Sequence, residues 1–510
     1  MFKNLIKRED KVDKTKTSIF YFGKLGAEGD TVLDSKLPLE EVFVDPMGVL
    51  NKLSSESKFL IIGRKGAGKS AFAQYIHKAQ GKNSLIFSDF VTRSQINLEL
   101  ITSKLEKVDA KVSYEIIYKW IIYTKLLKLI LKDVSIMTKI PSLVSLDKFF
   151  KKNNNIVSLD NFKIDSIKST NDYGIKWEYL SRFIYESKMS NEINKKPKGI
   201  VDFIEDLEGI IRFVLERKDI SESSFSVFFD DLDQDFTLNN SVNVQSLLNL
   251  IRITREINVN FLGSLYPNAR VILLLREDVA DYLITRVSGV GDTAKIFKDY
   301  SIRLNWYERT NQYLYDFAKE RIIYNFKTNN IPYSPFYPWD SLFDKNDFNN
   351  GAKDCFKYVL DHTFYRPRDI VHFLNIIVDL NVSYPVKRYD INNALGRYVQ
   401  EIREEIKNEL GCKYTTEEVD NIFDFFKRIS KLKTISYKEA LNILSDYKFQ
   451  ESNPVKILED LFDYSYIYNI DSEGLFYIKY REGQVESQKY TLNSEHKISP
   501  HRTISLFYDL

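Results

Sequence analysis

The pattern of apolar and polar positions along the chain predicts alternating strands and helices. Short apolar runs at residues 59–62, 84–90, 225–229 and 271–275 are typical of buried strands. Between these runs, apolar residues recur every three or four positions. The clearest case is residues 199–218, which form one apolar face of an amphipathic helix. The alternation predicts an α/β fold built on a parallel sheet.

The first apolar run continues directly into GRKGAGKS at residues 63–70, and a helical pattern follows. This segment matches the phosphate-loop (Walker A) motif G-x-x-x-x-G-K-[ST] in the strand–loop–helix context that the motif requires. Its glycines let backbone N–H groups point at phosphate oxygens. Lys69 can reach the β- and γ-phosphates, and the Ser70 hydroxyl can bind Mg²⁺. The predicted nucleotide-binding residues are Gly63, Arg64, Lys65, Gly66, Ala67, Gly68, Lys69, Ser70 and Ala71.

The third apolar run ends in a pair of carboxylates, Asp230 and Asp231. A P-loop ATPase needs acids beside the phosphates, one to hold Mg²⁺ and one to polarise the attacking water. We assign Asp230 to the metal and Asp231 to the water. Asp233 is a second candidate for the water or a group that orients the loop.

The fourth apolar run ends at Arg276. A planar guanidinium at the tip of the neighbouring strand can bind the γ-phosphate in a bidentate manner, so we predict a catalytic sensor role for Arg276. The alternative is an ion pair with Glu277 or Asp278. Arg286 and Arg303 are weaker candidates for an arginine finger that serves a neighbouring subunit.

The stretch HTFYRPRDIVHFLN, residues 362–375, opens another helix. In a helical lid, Arg366 and Arg368 at this point could reach bound phosphates, and Pro367 could pack on the adenine. The alternative is an ordinary helix start, with proline in the first turn and Asp369 favouring the helix dipole. The two interpretations are compatible.

The last hundred residues predict a winged helix. Thr415-x-x-Glu418 and Ser436-x-x-Glu439 are capping boxes that open two helices, and a third helix covers residues 454–464. Residues 466–470 and 475–480 predict a β-hairpin wing. The third helix carries one lysine, Lys456, among three acids, which is an unfavourable surface for DNA. Lys479, Arg481 and Lys489 on or beyond the wing could still touch phosphate.

Composition narrows the function classes. The chain has 510 residues, a net charge of +2 and two cysteines far apart, Cys355 and Cys412. These numbers argue against a generally basic nucleic-acid binder and against a disulfide framework. The most apolar helix, residues 114–132, carries four lysines, which excludes a membrane span. We therefore expect a cytoplasmic protein with no membrane contact.

Taken together, the phosphate loop, the D-D-x-D strand, the strand ending in Arg276 and the R-P-R segment resemble the AAA+/STAND group of P-loop ATPases. KAP-type and archaeal origin-recognition ATPases are neighbouring resemblances. The resemblance covers about residues 40–410. It implies a P-loop parallel sheet with a helical insertion and a helical lid, followed by the winged helix. The predicted domains are an N-terminal arm (1–45), an ATPase core (46–310, insertion about 95–198), a lid (311–412) and the winged helix (413–510).

The resemblance implies ATP and Mg²⁺ as ligands, bound between core and lid. Asp-Asp in place of the usual Asp-Glu implies slow hydrolysis, because the shorter Asp231 reaches less far toward water. We therefore expect a nucleotide-controlled switch that changes its assembly as a homo-oligomer or its contact with a protein effector. A role in bacterial anti-phage defence follows by analogy only. The alternative is a DNA-binding ATPase of the initiator or loader type, which is not favoured.

Overall fold

This computed structural model describes residues 15–26, 29, 36–80, 83–92, 114–152, 200–217, 222–232, 241–286, 291–307, 311–348, 354–449, 453–479 and 491–509. The contacts divide the chain into two compact units. The first, called the sheet unit, comprises Gly48–Lys65 and Lys69–Leu304. The second, called the helical unit, comprises Met1–Met47, Gly66–Gly68 and Asn305–Leu510.

The sheet unit contains a five-stranded parallel sheet with the strand order β2-β3-β4-β1-β5. Its strands are β1 (Leu60–Gly63), β2 (Ile86–Thr92), β3 (Ser224–Asp230), β4 (Ala269–Arg276) and β5 (Ser301–Arg303). The four predicted strands and the parallel sheet are confirmed. The three-residue strand β5 was not predicted, because it is too short to show a pattern. The architecture is consistent with a P-loop NTPase-like fold.

The core of the sheet unit is built around the helix Tyr114–Lys132, which packs on β2, β3 and the helix Ile200–Leu215. Trp120, Tyr123 and Leu127 are buried in that core, as their helical spacing predicts. Residues 93–113 and 153–199, most of the predicted insertion, lie outside the described residues. The other helices of the unit are Val49–Ser55, Lys69–Ala79, Val134–Lys139, Ser142–Lys152, Ser241–Arg255 (continued by the π-helical Glu256–Leu262 and by Gly263–Leu265), Glu277–Arg286 and Gly291–Tyr300.

The helical unit includes part of the predicted N-terminal arm. The backbone N–H and C=O of Tyr21 both bond the side-chain amide of Asn325, which fixes the arm on the helix Gln312–Thr328. The other helices of this unit are Leu39–Val42, Pro338–Leu342, Cys355–Leu360, Pro367–Asp379, Arg388–Leu410, Thr416–Leu432, Tyr437–Ser445, Pro454–Asp463 and Arg502–Asp509, with 3₁₀ turns at Thr17–Ile19 and Lys345–Phe348.

The C-terminal part of the helical unit contains a four-stranded antiparallel sheet with the order β6-β9-β7-β8. Its strands are β6 (Ile435–Ser436), β7 (Ile467–Ile470), β8 (Phe476–Tyr477) and β9 (Lys497–Pro500). Both predicted capping boxes are present, at Thr415 and Ser436. The strand β9, one of the two inner strands, and the helix after it were not predicted, so the winged helix remains a prediction. The predicted boundary at 412/413 falls inside this unit.

Within the described part of the chain, every helix is either too short or too polar to span a membrane.

Candidate nucleotide-binding site

The phosphate loop connects β1, which ends at Gly63, to the helix that begins at Lys69. Gly66 and Gly68 have φ angles of 80° and 88°, a left-handed conformation that favours glycine. The Lys69 ammonium donates to the carbonyl oxygens of Gly63 at 2.9 Å and Arg64 at 3.2 Å. The Lys69 side chain therefore folds back onto the phosphate loop.

The structure brings together the two predicted metal ligands, Ser70 and Asp230. Asp230 ends β3 and is 8% exposed. Burial raises the pKa of Asp230 to about 6. The Ser70 hydroxyl lies close enough to lower this pKa by hydrogen bonding, the neighbouring Asp231 charge raises it, and Lys69 lowers it.

The chemistry of this pair fits Mg²⁺. A hydroxyl and a carboxylate are hard oxygen donors, and Mg²⁺ in NTPases is bound by one or two such groups, with water and substrate phosphates completing the shell. The described residues contain no cluster of three or more His, Cys, Asp or Glu that could form an all-protein metal cage. Ser70 and Asp230 are therefore the residues that would hold the ion.

Asp231, the predicted water-polarising acid, is exposed and has a left-handed φ of 53°. Its backbone N–H donates to Oδ1 of Asp230 at 2.9 Å. This turn fixes the backbone of Asp231 directly beside the metal candidate. Asp233, the second candidate, lies outside the described residues.

Arg276 lies at the tip of β4, which separates β3 from β1, and it is in register with Gly63. Its side chain forms a two-point ion pair with Asp278, with Nε–Oδ1 at 3.1 Å and Nη2–Oδ2 at 2.5 Å. Arg276 therefore lies at the strand tip, as predicted, and it also forms the ion pair with Asp278 that the alternative interpretation predicts. Glu277 instead accepts from Arg303, an arginine-finger candidate, at 2.9 Å.

The side chain of Arg366, a predicted nucleotide contact, is buried among carboxylates. The residue is only 3% exposed, and it precedes the helix Pro367–Asp379 as its N-cap. Its guanidinium is surrounded by three carboxylates: Asp369 at 2.8 Å, Glu409 at 3.0 Å and Glu405 at 3.2 Å. These partners occupy the guanidinium fork and raise the pKa of Arg366 despite its burial. Pro367 is also buried and occupies the first helical turn, as the alternative interpretation predicts.

Arg368, in contrast, contacts Gly66 of the phosphate loop, and both residues belong to the helical unit. Its backbone N–H donates to the Gly66 carbonyl at 3.3 Å. A Cβ added at Gly66 would come within 3.0 Å of Cβ of Arg368, so the contact depends on glycine. Its Nη1 donates to Glu405 at 3.3 Å. Arg368 therefore lies beside the loop.

Trp306 was missed by the sequence analysis. Its indole Nε1 donates to the Ala67 carbonyl at 2.7 Å, and the ring is 5% exposed. Trp306 thus fixes the peptide between the two left-handed glycines. It follows the unpredicted strand β5 in a stretch without periodicity, so the sequence carried no signal for it.

The lysines of the predicted DNA-contacting face are engaged by acids. Lys456 pairs with Asp460 at 3.0 Å and Glu459 at 3.5 Å, and Lys479 pairs with Asp463 at 2.6 Å. Arg481 and Lys489 lie outside the described residues. The two candidate lysines that the structure describes are therefore both paired with acids.

Three comparisons with known proteins give partial matches. A family model described as the FunZ-associated C-terminal helical domain matches residues 312–407, within the predicted lid. The 2-isopropylmalate synthase of Aquifex aeolicus is 36% identical over 81 residues, which are 15% of this chain and 15% of the synthase. The crystal structure of Cdc6p from Pyrobaculum aerophilum aligns with 92% of this chain and 91% of its own, at 10% identity and a TM-score of 0.25. A superposition at that TM-score carries no inference about function.

Proposed function

We propose that this chain is a Mg²⁺-dependent P-loop ATPase that acts as a slow, nucleotide-controlled switch. The observation that carries the proposal is the meeting of Ser70, at the end of the phosphate loop, with the buried carboxylate of Asp230 at the tip of β3. Two groups about 160 residues apart in sequence lie close together, which supports their assignment to one site.

In this proposal the backbone N–H groups of the loop and the Lys69 ammonium hold the β- and γ-phosphates. Mg²⁺ held by Ser70 and Asp230 would neutralise charge on the phosphate oxygens. Asp231, exposed beside Asp230, orients the attacking water. Arg276 exchanges its ion pair with Asp278 for the γ-phosphate, since both partners are anions of similar geometry. Arg368 is a further phosphate contact.

The switch interpretation rests on the chemistry of the second motif and on the resemblance to AAA+/STAND ATPases. Asp231 is one methylene shorter than the glutamate common in fast AAA+ motors, so it holds water less closely and turnover is slow. A slow ATPase suits a protein that changes assembly or partner contact with nucleotide state. The output is a homo-oligomer or a protein effector, and anti-phage defence is the proposed setting.

The experiment is steady-state ATP hydrolysis and nucleotide binding by the full chain, compared with Lys69→Ala. We expect slow wild-type turnover that requires Mg²⁺, and a loss of turnover of about 100-fold or more in the variant, because removing a group that stabilises transferring phosphate has an effect of this size. Lys78→Ala, on the same helix but in its last turn, is the matched control and should behave as wild type. Wild-type turnover in Lys69→Ala would refute the site.

The same assay with added DNA separates the proposal from the initiator-type alternative. Lys456 and Lys479 are already paired with acids, so we expect turnover to be indifferent to duplex DNA. Strong stimulation by DNA that falls steeply with salt would favour the alternative, because phosphate contacts release counterions.

A further inference from the structure

A continuous set of hydrogen bonds connects the phosphate loop to the C-terminal sheet inside the helical unit. It begins at Arg368, whose backbone N–H bonds Gly66 and whose Nη1 donates to Oε1 of Glu405. The same Oε1 accepts from Nη1 of Arg366 at 3.2 Å. The two arginines are therefore linked through one carboxylate oxygen.

The connection continues from Arg366 to the strand β7. Nη1 of Arg366 also donates to Oε1 of Glu409 at 3.0 Å. The other oxygen of Glu409, Oε2, accepts from the hydroxyl of Tyr466 at 2.6 Å. Tyr466 immediately precedes β7 and is 1% exposed. We call this set, Tyr466–Glu409–Arg366–Glu405–Arg368, the Tyr466–Arg368 chain.

Burial makes the geometry of this chain stringent. Arg366 and Glu409 are 3% and 4% exposed, so each must keep its partners or leave a charge uncompensated. A guanidinium is planar and its donors point in fixed directions, which means that Glu409 and Asp369 together fix the orientation of Arg366. Arg366 then fixes Glu405, and Glu405 holds the guanidinium of Arg368.

Arg368 itself is less constrained than the rest of the chain. Its side chain is 26% exposed, and its Nε has no hydrogen-bond partner among the described residues. The orientation of its guanidinium therefore depends on Glu405 at one end and on the Gly66 contact at the other.

We propose that Tyr466 is a positioning residue for the nucleotide site: through Glu409, Arg366 and Glu405 it holds Arg368 beside Gly66, and so sets the preference of the site for ATP over ADP. This inference rests on the proposed function, in which Arg368 contacts the phosphates. It gives the C-terminal sheet a defined influence on nucleotide recognition, and any partner that moves β7 would change that preference.

The test compares Tyr466→Phe with Tyr414→Phe in the full chain. Both tyrosines are buried, and both donate to a buried carboxylate, Tyr466 to Glu409 at 2.6 Å and Tyr414 to Asp460 at 2.7 Å. Of the two tyrosines, only Tyr466 belongs to the Tyr466–Arg368 chain. We measure the dissociation constants for ATP and ADP with Mg²⁺. Tyr466→Phe should lower the ATP-over-ADP preference about fivefold, the size typical of residues that modulate coupling between sites. Tyr414→Phe should leave it unchanged.

A double-variant comparison shows whether the effect passes through Arg368. Arg368→Ala alone should lower the preference, and adding Tyr466→Phe to it should change nothing more. Equal effects of Tyr466→Phe with and without Arg368 would overturn the proposal, as would identical behaviour of Tyr466→Phe and Tyr414→Phe. Arg366→Ala is avoided because it would remove the cation that Asp369, Glu405 and Glu409 share.

Nucleotide binding by Lys69→Ala distinguishes a failure of the positioning role from a failure of the proposed nucleotide site. If Lys69→Ala binds ATP as wild type does, the proposed site itself is wrong. If nucleotide binding requires Lys69 but is indifferent to Tyr466, only the positioning role is wrong.

Discussion

The charge of Asp230 should make the folded protein less stable at neutral pH than an uncharged side chain of the same shape. Burial raises the pKa of this carboxyl from the ordinary 3.8 to about 6. Below pH 3.8 the carboxyl is protonated in both folded and unfolded chains, so its burial does not lower the free energy of unfolding. Between 3.8 and 6 only the unfolded chain releases the proton, and the free energy of unfolding falls as pH rises.

Above pH 6 the loss in free energy of unfolding caused by the Asp230 charge reaches its full size. The interval between 3.8 and about 6 corresponds to about 3 kcal/mol, since each pH unit is worth about 1.4 kcal/mol. Asp230→Asn removes this penalty, and its amide can still accept from the Asp231 N–H. For a unit of this size the gain corresponds to a rise of up to about 10 °C in the melting temperature at pH 7.5.

The assay is thermal unfolding of both proteins between pH 4.5 and 8 without nucleotide. The advantage of Asp230→Asn should grow up to about pH 6 and then level off. The matched control is Asp133→Asn, another buried aspartate of the sheet unit. Burial opposes its charge, but hydrogen bonds from Ser223 and Ser135 hold the pKa of Asp133 below its ordinary value. Asp133→Asn should therefore destabilise at neutral pH. A pH-independent difference for Asp230→Asn, or the same sign in both variants, would refute the reasoning.

Two further predictions concern single roles in hydrolysis. Asp231→Ala should leave the dissociation constant for ATP within about twofold and slow hydrolysis about 100-fold, the usual contribution of a general base; if Asp233→Ala alone has this effect, the water-orienting role belongs to Asp233. Arg276→Ala should reduce the preference for ATP over ADP about tenfold, because one charge-assisted hydrogen bond is worth about 1.5–3 kcal/mol. An unchanged preference in competition binding would assign Arg276 to its ion pair with Asp278 alone.

The parts of the fold that were predictable carry their information locally. The phosphate loop, the strand ending in Asp230 and both capping boxes each show a pattern within about ten residues, and the structure places each as predicted. The strands β5 and β9 are three and four residues long, and they are defined by their pairing with β1 and β7. Unlike β1 and β7, which are also short, neither segment contains an apolar run, so tertiary pairing decides both.

The R-P-R segment shows why a motif does not assign its own arginines. Arg366 and Arg368 are equally good phosphate ligands in the sequence, and what distinguishes them lies some forty residues away. Glu405 and Glu409 stand one helical turn apart on the helix Arg388–Leu410, and together with Asp369 they bind the Arg366 guanidinium.

Separating the Arg366 guanidinium from these carboxylates would cost several kcal/mol, because breaking a buried pair leaves uncompensated charge. A phosphate would have to offer more than these carboxylates to draw Arg366 out. Among the described residues, the Arg368 side chain pairs with Glu405 alone, and its backbone bonds Gly66, so it can exchange partners at a far smaller cost. The useful criterion for a candidate ligand-binding arginine is therefore the number of buried carboxylates that its own fold has committed to it.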